Sequence, residues 1–277
     1  MMKTIFTGLF LTMIFGVNTL SAQRLEKVWQ TTGDLKTPES VIYYQEKDVI
    51  YVANINGDPS AKDGNGFISV LNPGGSVKNL EWIKNLNAPK GMAIFKGKLY
   101  VSDIDQLVEI DIEKGVVTAK YDAPGAVFLN DVTACMNGMI FVSDTRTAKI
   151  HVLNEGKFTV WMEGAPLETP NGLMAEKGKL LVGDKNIYEV DIKTKETKLL
   201  IEDAGGVDGL EKNKDGDFVF SNWPGRIFIH KNGKTIKLLD TTAQELKTAD
   251  IDYDLKNDLV LVPTFFDNKI VAYKIIF

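Results

Sequence analysis

Six positions in this chain bring oxygen chemistry to one recurring place. Glu39, Lys90, Asn130, Asn171, Asp208 and Asp250 align in six short segments, spaced by 51, 40, 41, 37 and 42 residues. All but the lysine are oxygen donors, the ligand set that a hard cation such as calcium or magnesium prefers. Three carboxylates and one lysine give the set a charge of −2. A divalent cation would neutralise it, whereas like charges left alone would crowd in a partly dry funnel.

The elements that must position these residues are short strands. Each aligned segment is followed about nine residues later by an apolar strand such as KLYVSDI or KLLVGDK, rich in Val, Ile and Leu and bounded by Gly, Asn and Asp. A period near forty filled with short strands predicts propeller blades. The second unit gives the pattern: strands from Gly91 to Phe95, Lys98 to Ser102, Gln106 to Asp111 and Val116 to Tyr121. The expected fold is all-β, a six-bladed propeller of four-stranded antiparallel blades. A two-layer sandwich would also use many short strands, but it gives no reason to repeat one polar residue at one offset. The last unit has only three strands, at about 249–253, 258–263 and 269–276, while Arg24 to Gln30 belongs to no complete blade. That orphan segment is expected to supply the sixth blade's outermost strand, closing the ring without a disulfide. Innermost strands line a propeller's channel, so the six aligned residues should form a ring at one mouth.

Residues 1–22 differ from the rest. Lys3, the apolar run from Ile5 to Val17 and the segment ending at Ala22 read as a secretory signal peptide, leaving residues 23–277 as one domain. The apolar run is too short to span a bilayer comfortably, and no later stretch approaches the length a membrane helix needs. The chain is therefore expected to be exported and soluble, periplasmic or secreted. A formal net charge of −5 with scattered basic residues argues against a nucleic-acid partner. Cys135 is the only cysteine and reads as a small buried hydrophobe. With only His151 and His230, both on third strands, a His-rich zinc site or a Ser-His-Asp triad is not expected.

On these residues the chain resembles the regucalcin and gluconolactonase group of six-bladed propellers. The resemblance is carried by Pro38-Glu39-Ser40, Leu129-Asn130-Asp131, Pro170-Asn171-Gly172 and Val207-Asp208-Gly209, which fall in order in the first, third, fourth and fifth blades. It implies that Glu39, Asn171 and Asp208 bind calcium, with Asn130 beside the ion to orient a small-molecule substrate. It further implies a hydrolase that opens a lactone or related ester, the ion acting as Lewis acid and Asp208 as base. The chain departs from the group where an arginine is common, having Phe128, and it has Val132 in place of the usual glycine. Metal binding thus carries over better than sugar-lactone specificity. The other reading is a non-catalytic propeller of the NHL kind that binds a ligand or protein and keeps the metal for structure.

Lys90 has no counterpart in that resemblance. It either meets an anionic group of the substrate opposite the metal or pairs with Asp250. Asp103, Asp144 and Asp184, with Asn54, Asn222 and Thr264, recur at the ends of second strands and read as caps. The loop from Asn54 to Gly66 has the Asn/Asp alternation of a calcium-binding EF-hand but places Pro59 where that loop needs glycine and Asn65 where it needs glutamate. It reads instead as a lip over the mouth. Trp223, Phe265 and Phe266 either wall a pocket there or fill a contact between blades.

Overall fold

The computed structural model describes residues 23–277; the signal peptide expected over residues 1–22 lies outside the described residues. Six four-stranded antiparallel sheets follow one another in sequence order, each running from an innermost strand outwards. The second blade has strands Pro89–Phe95, Lys98–Asp103, Gln106–Asp111 and Val116–Asp122, close to the expected bounds. Among the described residues the only helical elements are two short 3-10 turns, Thr242–Gln244 and Phe265–Asp267. In the sixth blade the chain's last strands, Asp252–Asp254, Leu259–Pro263 and Ile270–Ile276, are completed by Arg24–Gln30, paired antiparallel from Arg24 opposite Ile276 to Gln30 opposite Val271. One sheet thus holds both ends of the described chain, as the orphan segment required.

The sequence pattern explains why these strands form blades. Second and third strands such as Val49–Asn54 and Gly66–Leu71 are buried throughout, because each blade packs a neighbour on both faces. Outermost strands such as Val116–Asp122 are mostly exposed and carry the polar residues. The core is accordingly divided into clusters that lie between successive blades. Tyr51, Val70, Leu99 and Val108 join the first two blades, while Val41, Val52, Leu261 and Ala272 join the last to the first. Truncating one of these, as in Leu99→Ala, should cost about 2–5 kcal/mol through lost burial and the cavity left behind.

The residues read from sequence as caps at the ends of second strands do something else in five of the six blades, reaching back to the preceding segment, while the Thr264 hydroxyl bonds Lys269 within its own turn. Asp103 accepts hydrogen bonds from the backbone N–H groups of Asn87 and Ala88, Asp144 from those of Val127 and Phe128, and Asp184 from those of Glu168 and Thr169. Asn54 accepts from Lys36 N–H, and Asn222 donates to the carbonyls of Ala204 and Gly206. Every one of these bonds grips the chain just before an innermost strand. The anchors therefore fix where the next few residues, which line the channel, will stand.

Candidate active site at the channel mouth

The anchored segments enter their blades through a bulge, which is what turns a side chain into the channel. In the first blade Pro38 faces Asn54 and Ser40 faces Ala53, leaving Glu39 as the extra residue. The second and third blades show the same register shift across Lys90-Gly91 and Asn130-Asp131. Such bulges break the alternation of a strand and re-aim side chains. In the fourth and fifth blades the backbone hydrogen bonds Asn171 N–H to Gly183 O and Asp208 N–H to Ser221 O place the same two-residue unit at Asn171-Gly172 and Asp208-Gly209. The glycines follow from close packing of adjacent innermost strands. A Cβ on Gly172 would lie 2.4 Å from Asp208 O, and one on Gly209 would lie 2.3 Å from Ile251 N.

The sixth blade departs from the expected ring by one residue. There it is Ala249 N–H that donates to Pro263 O, so Ala249 occupies the position of Asn171 and Asp208, and Asp250 that of the following glycine. A one-residue change of register sends a side chain to the other side. Asp250 accordingly donates its N–H to Glu39 O, accepts Ser40 Oγ at 2.6 Å and lines a separate cavity further down the channel. It is no member of the mouth, and it forms no pair with Lys90. The mouth ring is Glu39, Lys90, Asn130, Asn171, Asp208 and Ala249, with a formal charge of −1 rather than −2.

The five polar members of that ring line one cavity of about 420 Å³, together with Ile55, Pro59, Phe128, Trp223, Phe265 and Phe266. Pro59 brings the long first-blade loop over the mouth as its lip. The three aromatics wall the side formed by blades five and six, edge to face, with ring centroids 4.7–6.3 Å apart. Phe265 also packs beneath the mouth with Ile55, Ala88 and Ala249, so it serves both of the roles foreseen for it.

Hydrogen bonding distinguishes the ring's oxygens. Asn171 Nδ2 donates to Asp208 Oδ1 at 2.8 Å, which fixes the amide so that its oxygen is left over. Asn171 Oδ1 and Glu39 Oε2 are buried acceptors without a partner among the described residues. Asn130 Nδ2 donates to Thr145 Oγ1, which donates in turn to Pro170 O and links the third blade to the fourth. Burial raises the Glu39 carboxyl well above its ordinary range, with the charges of Asp208 and Asp250 adding to the effect. Burial likewise raises Asp208 to about 7 against the pull of the Asn171 hydrogen bond. Lys90 is 1% exposed, and burial pushes its ammonium down to about 8 although Glu39 and Asp103 act the other way. Its Nζ donates to Ala88 O at 2.9 Å and stands 4.4 Å from the centroid of Phe128. No three His, Cys, Asp or Glu side chains among the described residues group closely enough to hold an ion, so a cation here would depend on amide oxygen as well as carboxylate.

The structure also gathers residues that the repeat did not single out. Asp131, Glu211 and Asp252 join Asp250 in lining the lower cavity, of about 280 Å³. Arg146 lays its guanidinium 4.2 Å from the Phe128 centroid and donates to Ser60 Oγ on the lip. Asp131 and Asp252 could have been found as the channel-facing residues that follow ring positions on the same strands; Arg146 carries no such signal. Neither histidine lines the mouth. His151 is buried against Phe158, and His230 Nδ1 lies 2.9 Å from Thr235 Oγ1. Cys135 is buried, with its thiol pushed up to about 11 by burial, as suits an inert core residue.

The site and its frame define a class: a six-bladed β-propeller with a polar, aromatic-walled mouth. Comparison with protein-family models and with curated proteins gives no match. Among solved structures, a streptogramin B lyase superposes with a TM-score of 0.67 at 12% identity, covering 92% of this chain and 98% of its own. A candidate gluconolactonase gives 0.66 at 13% identity, covering 94% of this chain and 93% of its own. The virginiamycin B lyase of Staphylococcus aureus, in a variant made inactive by replacing one histidine with alanine and bound to quinupristin, gives 0.64 at 14% identity, covering 92% and 100%. At such identities the likeness is one of fold.

Proposed function

We propose that this protein is a metal-dependent hydrolase that opens a lactone or related ester, with calcium held by Glu39, Asn171 and Asp208. The observation that carries this reading is the pair of unpartnered buried acceptors, Glu39 Oε2 and Asn171 Oδ1, in the same cavity as Asp208. A buried polar atom left without a partner costs about 1–3 kcal/mol, and two in one cavity suit a ligand that satisfies both. The donors are hard oxygens from two carboxylates and an amide, a set that suits calcium better than a soft metal. When bound, such an ion would polarise the substrate carbonyl and stabilise the oxyanion that develops on it.

The chain's own residues divide the remaining work. Asn171 Nδ2 orients Asp208, and in this reading Asp208 takes the proton of an attacking water. Asn130, steadied by Thr145, orients the substrate. Trp223, Phe265 and Phe266 exclude water from one side and pack an apolar part of the substrate. The proposal includes export, with the leader at residues 1–22. No helix among the described residues is long and apolar enough to cross a membrane.

A second reading, a propeller that binds without chemistry and keeps the ion for structure, draws on the exposure of Trp223 and Phe266 beside the mouth, 41% and 64%. A panel of lactones and aryl esters, assayed with calcium, with magnesium and with chelator, separates the two. The hydrolase reading predicts turnover that chelator removes and that is absent in Asp208→Ala. Calcium binding without turnover on any member would leave the binding reading.

A further inference from the structure

The wall that blades five and six raise at the mouth is built under backbone strain. Phe265 holds φ at 52°, in the left-handed region, where a bulky side chain stays only if its surroundings keep it there. Asn268 closes the turn by donating its N–H to Phe265 O, and its Oδ1 accepts the N–H of Thr37 at 2.7 Å, which ties the turn to the segment entering the first blade. This conformation buries Phe265 beneath the mouth and leaves the next residue, Phe266, exposed at its rim. Trp223 is held from its other neighbours: Lys247 Nζ stands over its ring, 4.5 Å from the centroid, and its carbonyl accepts the N–H of Thr248. All three rings line the cavity of about 420 Å³. Local strain persists where a clamp for a ligand uses it, and here it fixes an apolar surface that faces the cavity.

We propose that Trp223, Phe265 and Phe266 form a cradle for an alkyl or aryl substituent, so that the ester or lactone taken at the mouth carries an apolar side chain and is not a polyhydroxylated sugar lactone. The ester part of this statement rests on the hydrolase reading; the side chain rests on the cavity alone. The space is sufficient. A benzene-sized group fits an apolar cavity of about 150 Å³, so a mouth of about 420 Å³ takes a small lactone ring with a substituent of similar bulk beside it. The polar groups disfavour the alternative. A sugar lactone presents a hydroxyl on nearly every ring carbon, and each one buried without a partner is costly. Of the five polar ring side chains in the cavity, Glu39, Asn171 and Asp208 go to the ion in the hydrolase reading. Asn130 and Lys90 are left to meet several hydroxyls, and Lys90 already donates to Ala88 O. The rest of the lining is Ile55, Pro59, Phe128 and the three rings of the cradle, in which the Trp223 indole N–H is the sole polar side-chain group.

The test uses the protein of residues 23–277 with calcium present, and calorimetry with 5-alkyl-2-pyrrolidinones whose side chains run from methyl to hexyl. These cyclic amides copy a lactone's shape without being readily hydrolysed, and glucono-δ-lactam is their hydroxylated counterpart. Affinity should rise about two- to fourfold with each added methylene, and the hexyl compound should bind at least about tenfold more tightly than the glucono-lactam. In Trp223→Ala and in Phe266→Ala, both at exposed positions, the rise per methylene should flatten while calcium affinity stays nearly unchanged. An affinity that is constant along the series, a glucono-lactam bound as tightly as the hexyl compound, no measurable binding of either, or a rise per methylene that persists in both variants would overturn the cradle. Failure of the hydrolase reading gives a different result. If the matching alkyl γ-lactones are not turned over with calcium while the pyrrolidinone series keeps its dependence on Trp223 and Phe266, the cradle stands as the ligand site of a binding propeller. If sugar lactones are turned over as well as alkyl lactones, the hydrolase reading stands and the cradle falls.

Discussion

The two ends of the central channel are built from the same kinds of side chain and differ in what those side chains have left to offer. At the lower end, Asp131 accepts the N–H groups of Val132 and Leu173, Asp252 accepts that of Tyr43, and Asp250 accepts Ser40 Oγ. The bonds to Leu173, Tyr43 and Ser40 run from one blade to the next, so these carboxyls staple innermost strands together. At the mouth, Glu39 Oε2 and Asn171 Oδ1 have no partner among the described residues. Acidity alone therefore does not mark a site. The mark is acceptor capacity that the fold has oriented and not consumed.

The largest expected effect that sharpens this contrast is on stability against pH. Burial raises Asp208 to about 7 and Asp252 to about 6, and raises Glu39, Asp131, Glu211 and Asp250 well above their ordinary range. A carboxyl whose pKa is higher in the folded chain than in the unfolded one contributes stability below the unfolded value and loses it as pH rises through the folded value. Metal-free protein should therefore melt lower at pH 8 than at pH 5, by on the order of 10 °C when several such groups ionise. Calcium at pH 8 should recover the part due to Glu39 and Asp208, and Asp252→Asn should flatten a part that calcium does not touch. A melting temperature that is constant over this range would show that the buried carboxyls are not strained by ionisation.

A smaller effect is expected from cutting one staple. Asp131→Ala leaves Leu173 N–H buried without an acceptor and should destabilise the chain by about 1–3 kcal/mol in denaturant melts. Calcium affinity should change by less than about threefold, since the fold's tie is lost and the mouth's donors remain. A large loss of calcium binding in this variant would erase the distinction between the two ends.

The repeat and the closure were legible because both are written in spacing. Strand-forming runs recur near every forty residues, and in the sequence Arg24–Gln30 is left over while the last unit is one strand short, the pair that the sixth blade brings together. Five of the six ring residues were legible for the same reason. The sixth was not, because Thr248-Ala249-Asp250 aligns by residue type one place away from where its backbone bonds put it. Pro263 contributes to that ambiguity, since it has no N–H to close the bulge as Gly183 and Ser221 do. Gly172 and Gly209 look like ordinary turn residues in sequence, whereas their cause is the backbone of the next blade. Arg146 could not be found by spacing, because it lies in the turn after Ile140–Asp144 and no repeat position leads to its contact with Phe128.

Calcium calorimetry on the protein and on three variants tests the central claim most directly. The mouth-ring account predicts one ion per chain in the unsubstituted protein, binding weakened by about a hundredfold or more in Glu39→Ala and Asp208→Ala, and binding nearly unchanged in Asp252→Asn. Unchanged affinity in both mouth variants, or a loss confined to Asp252→Asn, would contradict it.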